Sequence, residues 1–230
     1  DTLLVDATSR IDVSGRGYLL GYTVGNTAAG GAAGEAGGTY GGLGNNVSGG
    51  TPNWVYDEYE NPSHPGSGGG TRWQDPGTLH GVGGGLIRIA ADTLVLDGTI
   101  AADGQHGDIH ARTAGSGGGI RLDVGTLSGS GTIHADGGNG RDHYGRGGSG
   151  GGGRVALYYE MLDGFDAAAR ITAHGGNGGA GPGAVGTVYL KEIGGEGVLR
   201  VVSHGAATGM WTPLGLPEDL AFEVDRLVLA

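Results

Sequence analysis

The sequence predicts an all-β fold, a right-handed parallel β-solenoid (β-helix) with glycine-rich segments layered on one side. Three observations lead to this prediction: a strand-like motif recurs four times, apolar residues alternate within it, and a glycine-rich stretch precedes each copy. Self-similarity at a period of a few tens of residues is typical of solenoids, whose units bury their apolar faces only by stacking on one another.

The four copies of the motif begin at Gly85, Gly118, Gly153 and Gly186, with spacings of 33, 35 and 33 residues. Alternating apolar residues indicate strands with one buried face. The aligned apolar pairs are Ile87 and Ile89, Ile120 and Leu122, Val155 and Leu157, and Val188 and Leu190. A second strand is predicted after each of the first three copies, around Ile100, Ile133 and Ile171, and a similar segment surrounds Ile11. The repeat unit is therefore strand, turn, strand and glycine-rich excursion.

Glycine accounts for 57 of 230 residues, about a quarter of the chain, against an average of about 7%. It is concentrated in residues 15–85, 104–119, 137–153 and 175–186. Two interpretations remain open for these segments. They could be flexible loops, as glycine-serine runs usually are. Alternatively, they could be extended, polyglycine-II-like segments that lie side by side above the β-core and hydrogen-bond to one another.

The chain is predicted to form a single domain, residues 1–230, because no linker divides it. The repeats are clearest in residues 81–193, and terminal strands occupy residues 194–230. Residues 51–80 depart from the repeat and are predicted to fold over one face. Aromatic rings in this insertion suggest a sugar-stacking platform or a protein contact. The candidate ligand-binding residues are Trp54, Tyr56, Tyr59 and Trp73, although the same rings could instead form a satellite core that anchors the insertion.

Charge and composition exclude several functions. The chain has no cysteine, which rules out disulfides, thiolate metal sites and a cysteine nucleophile. The formal net charge is −11 and Lys191 is the single lysine, so neither nucleic acid nor an anionic membrane is an expected partner. No apolar run is long enough to span a membrane. An acidic, cysteine-free, glycine-rich β sequence fits an extracellular or cell-surface location.

Two acids occupy equivalent positions on successive repeats. Asp103 and Asp136 align, with His174 at the third equivalent position, so stacking would separate the acids by about 4.8 Å. Paired carboxylates could serve a polysaccharide lyase or hydrolase. The favoured alternative is turn chemistry, because an Asp before Gly commonly accepts local backbone N–H bonds. The chain is therefore predicted not to be an enzyme, and no catalytic residue is assigned.

Histidines and acids also suggest a metal site. Alternation would place His106, Asp108 and His110 on one side of an extended segment, a geometry suited to a transition metal. The candidate metal ligands are His106, Asp108, Asp136 and Asp142. Asp and glycine carbonyl oxygens would also suit Ca²⁺, but the regular calcium β-roll motif is absent. No cofactor is expected, with Ca²⁺ as the alternative.

Strands are predicted near both ends of the chain, and neither carries a polar cap. Uncapped solenoid ends are templates for adding another chain, and a head-to-tail contact of this kind grows an open filament. The candidate assembly residues are Leu3, Leu4, Val5, Phe222, Val224, Leu227 and Leu229. Alternatively, the chain is part of a longer protein whose adjacent modules provide the caps.

Several segments resemble glycine-rich repeat modules of very large secreted or surface proteins of bacteria. The likeness covers most of the chain and includes Gly-Ser-Gly-Thr-Ile-His-Ala-Asp-Gly-Gly-Asn-Gly at residues 129–140, Gly-Gly-Arg-Val-Ala-Leu-Tyr-Tyr at 152–159, and residues 10–18 and 61–70. The resemblance implies adhesion, biofilm matrix or filament formation and carries no active site.

The expected function is therefore that of a non-enzymatic extracellular structural or adhesive module that joins to copies of itself or to adjacent modules. Two alternatives remain open. One is a carbohydrate-active or carbohydrate-binding module with a polysaccharide partner, and the other is a calcium-dependent adhesion domain.

Overall fold

The computed structural model describes residues 1–71, 76–110, 112–142, 144, 146–179 and 181–230. Strands account for 30% of the residues and helix for 2%, so the protein is predominantly β. The elements in chain order are β1 (Thr2–Val5), β2 (Arg10–Asp12), β3 (Leu86–Leu96), β4 (Thr99–Ala101), β5 (Gly119–Ser128), β6 (Thr132–His134), β7 (Arg154–Asp163), α1 (Ala167–Arg170), β8 (Ile171–Thr172), β9 (Thr187–Glu192), β10 (Gly197–Val201) and β11 (Arg226–Leu229).

The strands form two sheets. Sheet A has seven strands in the order β1-β3-β5-β7-β9-β10-β11, and sheet B has four in the order β2-β4-β6-β8. Consecutive repeats pair parallel and in register, with Ile87 opposite Ile120, Ile120 opposite Val155, and Val155 opposite Val188. The alignment of the repeated strands predicted from the sequence is therefore confirmed.

The core lies between the two sheets and is built from rows of aliphatic side chains. Leu122 and Leu157 come from sheet A and Ile100 and Ile133 from sheet B, and all four are fully buried. Each such side chain contributes about 1.5–3 kcal/mol when it is removed from water. The two sheets stay together because neither can bury its apolar face alone.

The prediction of a right-handed parallel β-solenoid is wrong, because the described residues form a mixed seven-stranded sheet and a separate four-stranded sheet, and no closed solenoid is found among them. After β9 the chain does not enter another parallel repeat. Gly194 takes a φ of +82° in a tight turn, and β10 then pairs antiparallel with β9. The left-handed region suits glycine because it has no Cβ. Within the described ranges, sheet B ends at β8.

The third of the predicted second strands is also shorter than expected. Asp166 accepts hydrogen bonds from the backbone N–H groups of Ala168 and Ala169, both at 3.1 Å, and caps the single-turn helix α1. Only Ile171 and Thr172 remain as strand β8. The short helix that Asp166 caps therefore takes the place of the first part of the predicted strand.

The predicted insertion covers the outer face of sheet A. The Asn61 Oδ1 atom accepts hydrogen bonds from Arg88 and Arg121, at 3.1 and 2.8 Å, on neighbouring strands. Tyr158 donates its hydroxyl to the Glu60 carbonyl at 2.9 Å. On the same face Ala156 is fully buried in a cluster with Tyr189 and Leu199, and Tyr59 of the insertion packs against this cluster.

The glycine-rich segments are hydrogen-bonded to one another. Gly117 N–H donates to Gly151 O at 2.9 Å, Gly151 N–H to Gly38 O at 3.0 Å, and Gly38 N–H to Ala114 O at 2.9 Å. Backbone groups of one segment thus satisfy those of the next, as buried polar groups require. This bonding agrees with interlocked segments and not with free loops.

The same segments pack too closely for side chains. A Cβ at Gly151 would lie 1.8 Å from the Gly42 carbonyl oxygen, well inside van der Waals contact. Backbone atoms meet backbone atoms here, so neither partner can rotate away as a side chain would. Glycine is therefore required at this position for packing.

We predict that Gly151→Ala destabilises the protein by about 2 kcal/mol or more, as overpacking of a well-packed interior does. The matched control is Gly195→Ala, whose Cβ would meet Glu192 Cβ at 3.3 Å and Glu192 O at 3.5 Å. Urea unfolding followed by circular dichroism measures both variants. Equal stability of Gly151→Ala and the wild type would show that this glycine segment is not closely packed.

Candidate functional site

A row of polar side chains continues sheet B beyond its strands. Ser14, Asp103, Asp136 and His174 each lie two residues after the end of β2, β4, β6 and β8, and we call them the polar row. From the second member onward, the backbone N–H of each residue donates to the side chain of the member before it. These bonds run from Asp103 N to Ser14 Oγ at 3.0 Å, from Asp136 N to Asp103 Oδ1 at 2.8 Å, and from His174 N to Asp136 Oδ1 at 2.6 Å.

The polar row borders an open groove of about 820 Å³ that crosses the repeats. A second row lies further along the same excursions. Asn139 N–H donates to His106 Nδ1 at 2.8 Å, and Asn177 N–H donates to Asn139 Oδ1 at 2.7 Å. Equivalent positions of successive repeats thus line one surface with carboxylate, amide and imidazole groups, which could bind a polar, extended ligand.

The two carboxylates of the polar row act as acceptors between repeats. Asp103 also accepts from His134 Nδ1 at 2.9 Å, and this hydrogen bond raises the pKa of His134 although burial of the ring opposes it. Burial alone would raise the pKa of Asp136, but its contacts with His174 outweigh burial and hold the pKa below its usual value. The predicted local turn bonds of these Asp residues are not what holds them, because Asp103 and Asp136 accept backbone N–H groups that lie 33 and 38 residues further along the chain, in the next repeat.

The four predicted metal ligands do not converge. His106 Nδ1 accepts the Asn139 N–H bond, whereas Asp108 accepts from the ring of His80 at 2.8 Å. Asp136 lies in the polar row, and Asp142 is exposed. Asp108 contacts both His80 and His110, whose tilted rings have centroids 4.8 Å apart. His80 was not among the candidates predicted from the sequence.

A different set of ligand atoms does come together. One atom from each of Asp103, His134 and Asp136 lies within 4.8 Å of the other two, and within the described ranges this is the one group of three or more potential ligands so close. All three side chains are partly buried. The sequence predicted Asp136 as a ligand and aligned it with Asp103 but did not select His134. Strand alternation was the available signal, because His134 and Asp136 are two residues apart on one extended segment.

The candidate aromatic platform is divided between core and surface. Tyr56 is buried against Tyr40, with ring centroids 4.8 Å apart, and donates its hydroxyl to Pro65 O at 2.6 Å. Tyr59 packs on Tyr189 at 5.3 Å. Trp54 is 52% exposed and offers ring surface to a ligand. Trp73 lies outside the described residues.

Asp57 organises the loop that carries these rings. Its Oδ2 atom accepts from the Tyr40 hydroxyl and the Ser63 N–H, both at 2.6 Å, and from the His64 N–H at 3.0 Å. Burial alone would raise the pKa of Asp57, but the hydrogen bonds from Tyr40 and Ser63 hold it below its usual value. The backbone of Asp57 has a φ of +65°, in the left-handed region that residues other than glycine rarely adopt. Apart from an acid among aromatic residues, nothing in the sequence indicates this role.

Comparison with protein-family models, with curated proteins and with solved structures gives no match for this chain. In the part of the chain that the structure describes, no helix is long and apolar enough to cross a membrane. Functional inference therefore depends on geometry and charge.

We predict that Asp57→Asn lowers the free energy of unfolding at pH 7 by about 1–3 kcal/mol, because an amide has one acceptor oxygen and its NH₂ group would face the donors at either Oδ1 or Oδ2. The effect depends on pH. Because the folded-state pKa is lowered, the carboxylate stabilises the protein above its unfolded pKa of 3.8 and loses this effect as pH falls through the folded value. The deficit of the variant should therefore shrink below about pH 4.

Urea unfolding at several pH values measures this difference, with the exposed Asp163→Asn as the matched control. A deficit that is the same at pH 7 and pH 3 would contradict the proposed role of the Asp57 charge.

Proposed function

We propose that the chain is a non-enzymatic structural or adhesive module that acts outside a bacterial cell and joins head-to-tail to further copies through the edges of sheet A. The resemblance to glycine-rich modules supports the setting. The single observation that carries the assembly is that sheet A presents an unpaired strand edge at each end.

The two edges are β1 and β11. Each pairs with one neighbour, β1 with β3 and β11 with β10, and within the described ranges the other side of each strand is open. Leu4 on β1 and Leu229 on β11 are 63% and 65% exposed. Open edges with exposed apolar side chains are templates for strand addition.

The orientation of the strands defines the joint. β1 runs in the same direction as β3, β5, β7 and β9, whereas β10 and β11 run in the opposite direction. If successive copies keep the direction of sheet A, β11 of one copy would pair antiparallel with β1 of the next. Such a contact is heterologous and need not close into a ring, so it can grow an open filament.

The interior suits a structural role. Hydrogen bonds between the repeats up to β8 run through sheet A, sheet B, the polar row and the glycine segments, which ties these repeats together along four parallel lines, and sheet A and the glycine segments continue to β9. The glycine segments add backbone bonds without side-chain bulk. Separating two repeats would break all four sets together.

We expect the wild-type protein to form long unbranched fibres in physiological buffer, visible by negative-stain electron microscopy. The double variant Leu4→Lys with Leu229→Lys should remain monomeric in sedimentation velocity, because a charge at each edge disfavours strand addition. Both side chains are exposed, so the fold should be retained.

Met161→Lys is the matched control, because this side chain is 53% exposed on the central strand β7. It should assemble as the wild type does. Compact monomers of the wild type at every concentration tested would reject assembly through these edges.

A second candidate function is polysaccharide binding, favoured by the groove along the polar row. The side chains that line it combine amide, imidazole, guanidinium and carboxylate groups from successive repeats, and hydrogen-bonding side chains at a strand spacing suit an extended, hydroxyl-rich polymer. A groove also allows contact with several sugar units at once. An enzyme that acted on the same polymer would also release product. The carboxylates of the polar row already accept hydrogen bonds from the next repeat, which favours binding over catalysis.

Affinity electrophoresis over a panel of neutral and acidic polysaccharides measures binding as retardation of the protein. We predict that the double variant Arg16→Ala with Asn177→Ala is retarded less than the wild type by each polymer that the wild type binds. Both residues line the groove. The exposed Asn46→Ala, outside the groove lining, is the control. Absence of retardation by any polymer would reject the groove as a binding site, and release of sugar or uronate would indicate an enzyme instead.

A further inference from the structure

The cluster formed by Asp103, His134 and Asp136 has the composition of a metal site. His134 and Asp136 belong to the same repeat, and Asp103 comes from the repeat before it. The imidazole Nδ1 of His134 lies 2.8 Å from Asp103 Oδ2, and the potential ligand atoms of the three residues lie within 4.8 Å of one another. Ligands around a tetrahedral ion at 2.0–2.1 Å are separated by about 3.4 Å. Small side-chain rotations would therefore place all three around one ion.

The backbone holds these side chains in place. Asp103 follows β4 and His134 ends β6, and the two strands pair in register in sheet B, with Ala101 opposite His134. The Asp136 N–H bond to Asp103 Oδ1 at 2.8 Å fixes the position of the first carboxylate relative to the second. A site held by paired strands needs little reorganisation to bind an ion.

Access and charge also fit an ion. Asp103 and Asp136 line the groove, and their side chains are 31% and 32% exposed, so an ion can enter and keep a water or ligand oxygen on the open side. Two carboxylates and a neutral imidazole balance the charge of a divalent cation.

His174 of the next repeat lies beside Asp136. His174 Nδ1 lies 3.7 Å from Asp136 Oδ2, which is longer than a hydrogen bond. Its Nε2 is buried and has no hydrogen-bond partner among the described residues. The partly buried His174 ring thus keeps an unsatisfied nitrogen in the repeat that follows the cluster, whereas buried polar groups are ordinarily satisfied.

We propose that Asp103, His134 and Asp136 bind one divalent transition-metal ion of the Zn²⁺ type. An imidazole ligand favours Zn²⁺ over Ca²⁺, which prefers an all-oxygen shell. The site is separate from the sheet edges, so it is independent of the proposed assembly.

The test is isothermal titration calorimetry of the chelator-treated full chain with ZnCl₂. We expect one site for each chain, and we expect His134→Gln to weaken its affinity at least about 100-fold, the upper end of the cost of losing a second-shell partner. His106→Gln is the matched control, because His106 lines the same groove outside the cluster, and it should bind as the wild type does. CaCl₂ should give no binding at this site.

A measurement on the wild type covers the case in which His134→Gln does not fold. Diethyl pyrocarbonate modifies accessible histidines, and peptide mass spectrometry locates the modification. Zn²⁺ should protect His134 and leave His106 reactive. Absence of saturable zinc binding, equal affinity in the wild type and His134→Gln, or equal modification of His134 with and without zinc would each overturn the proposal.

Discussion

The in-register parallel pairing of β3, β5, β7 and β9 is the constraint on which the other features depend. Because equivalent residues face each other across every strand pair, one apolar position in the repeat becomes a buried row, as it does from Ile87 to Val188. The same rule turns a polar position into a row of linked side chains. A shift of one residue would move every inward side chain to the opposite face. The core, the groove and the cluster of Asp103, His134 and Asp136 thus all result from the in-register stacking of the repeats.

The glycine segments solve a problem that the sheets leave open. A dozen ordered residues in each repeat lose conformational entropy, at about 1–2 kcal/mol per residue for the backbone. Dense backbone hydrogen bonding and contacts without side chains offset this cost. The positions that permit such contacts are those where a Cβ would lie within 2.0 Å of a carbonyl oxygen, as at Gly37, Gly150 and Gly151. The high glycine content is therefore a packing requirement, comparable to an apolar core.

The sequence predicted the strands and their register because both follow from local alternation and a regular period. It did not predict the reversal after β9, which depends on one turn with Gly194 at positive φ, and a solenoid was the wrong extrapolation of the repeat. Asp136 and its alignment with Asp103 were visible in the sequence, and His134 could have been added by alternation. The pairings of Asp57 with Tyr40 and of His80 with Asp108 were not predictable, because each joins segments brought together only by tertiary packing.

The register also explains why the carboxylate-histidine cluster occurs once among the described repeats. The position two residues before the polar row holds Asp12, Ala101, His134 and Thr172 in successive repeats, while the polar row itself holds Ser14, Asp103, Asp136 and His174. Two acids are adjacent in the row only at Asp103 and Asp136, and a histidine stands two residues before the row only in the later of these two repeats, the third of the four. The fold supplies the same backbone geometry at these four positions. The identities of the side chains confine the complete set of proposed metal ligands to one pair of neighbouring repeats. A periodic scaffold can therefore carry a single local site without any change to its backbone.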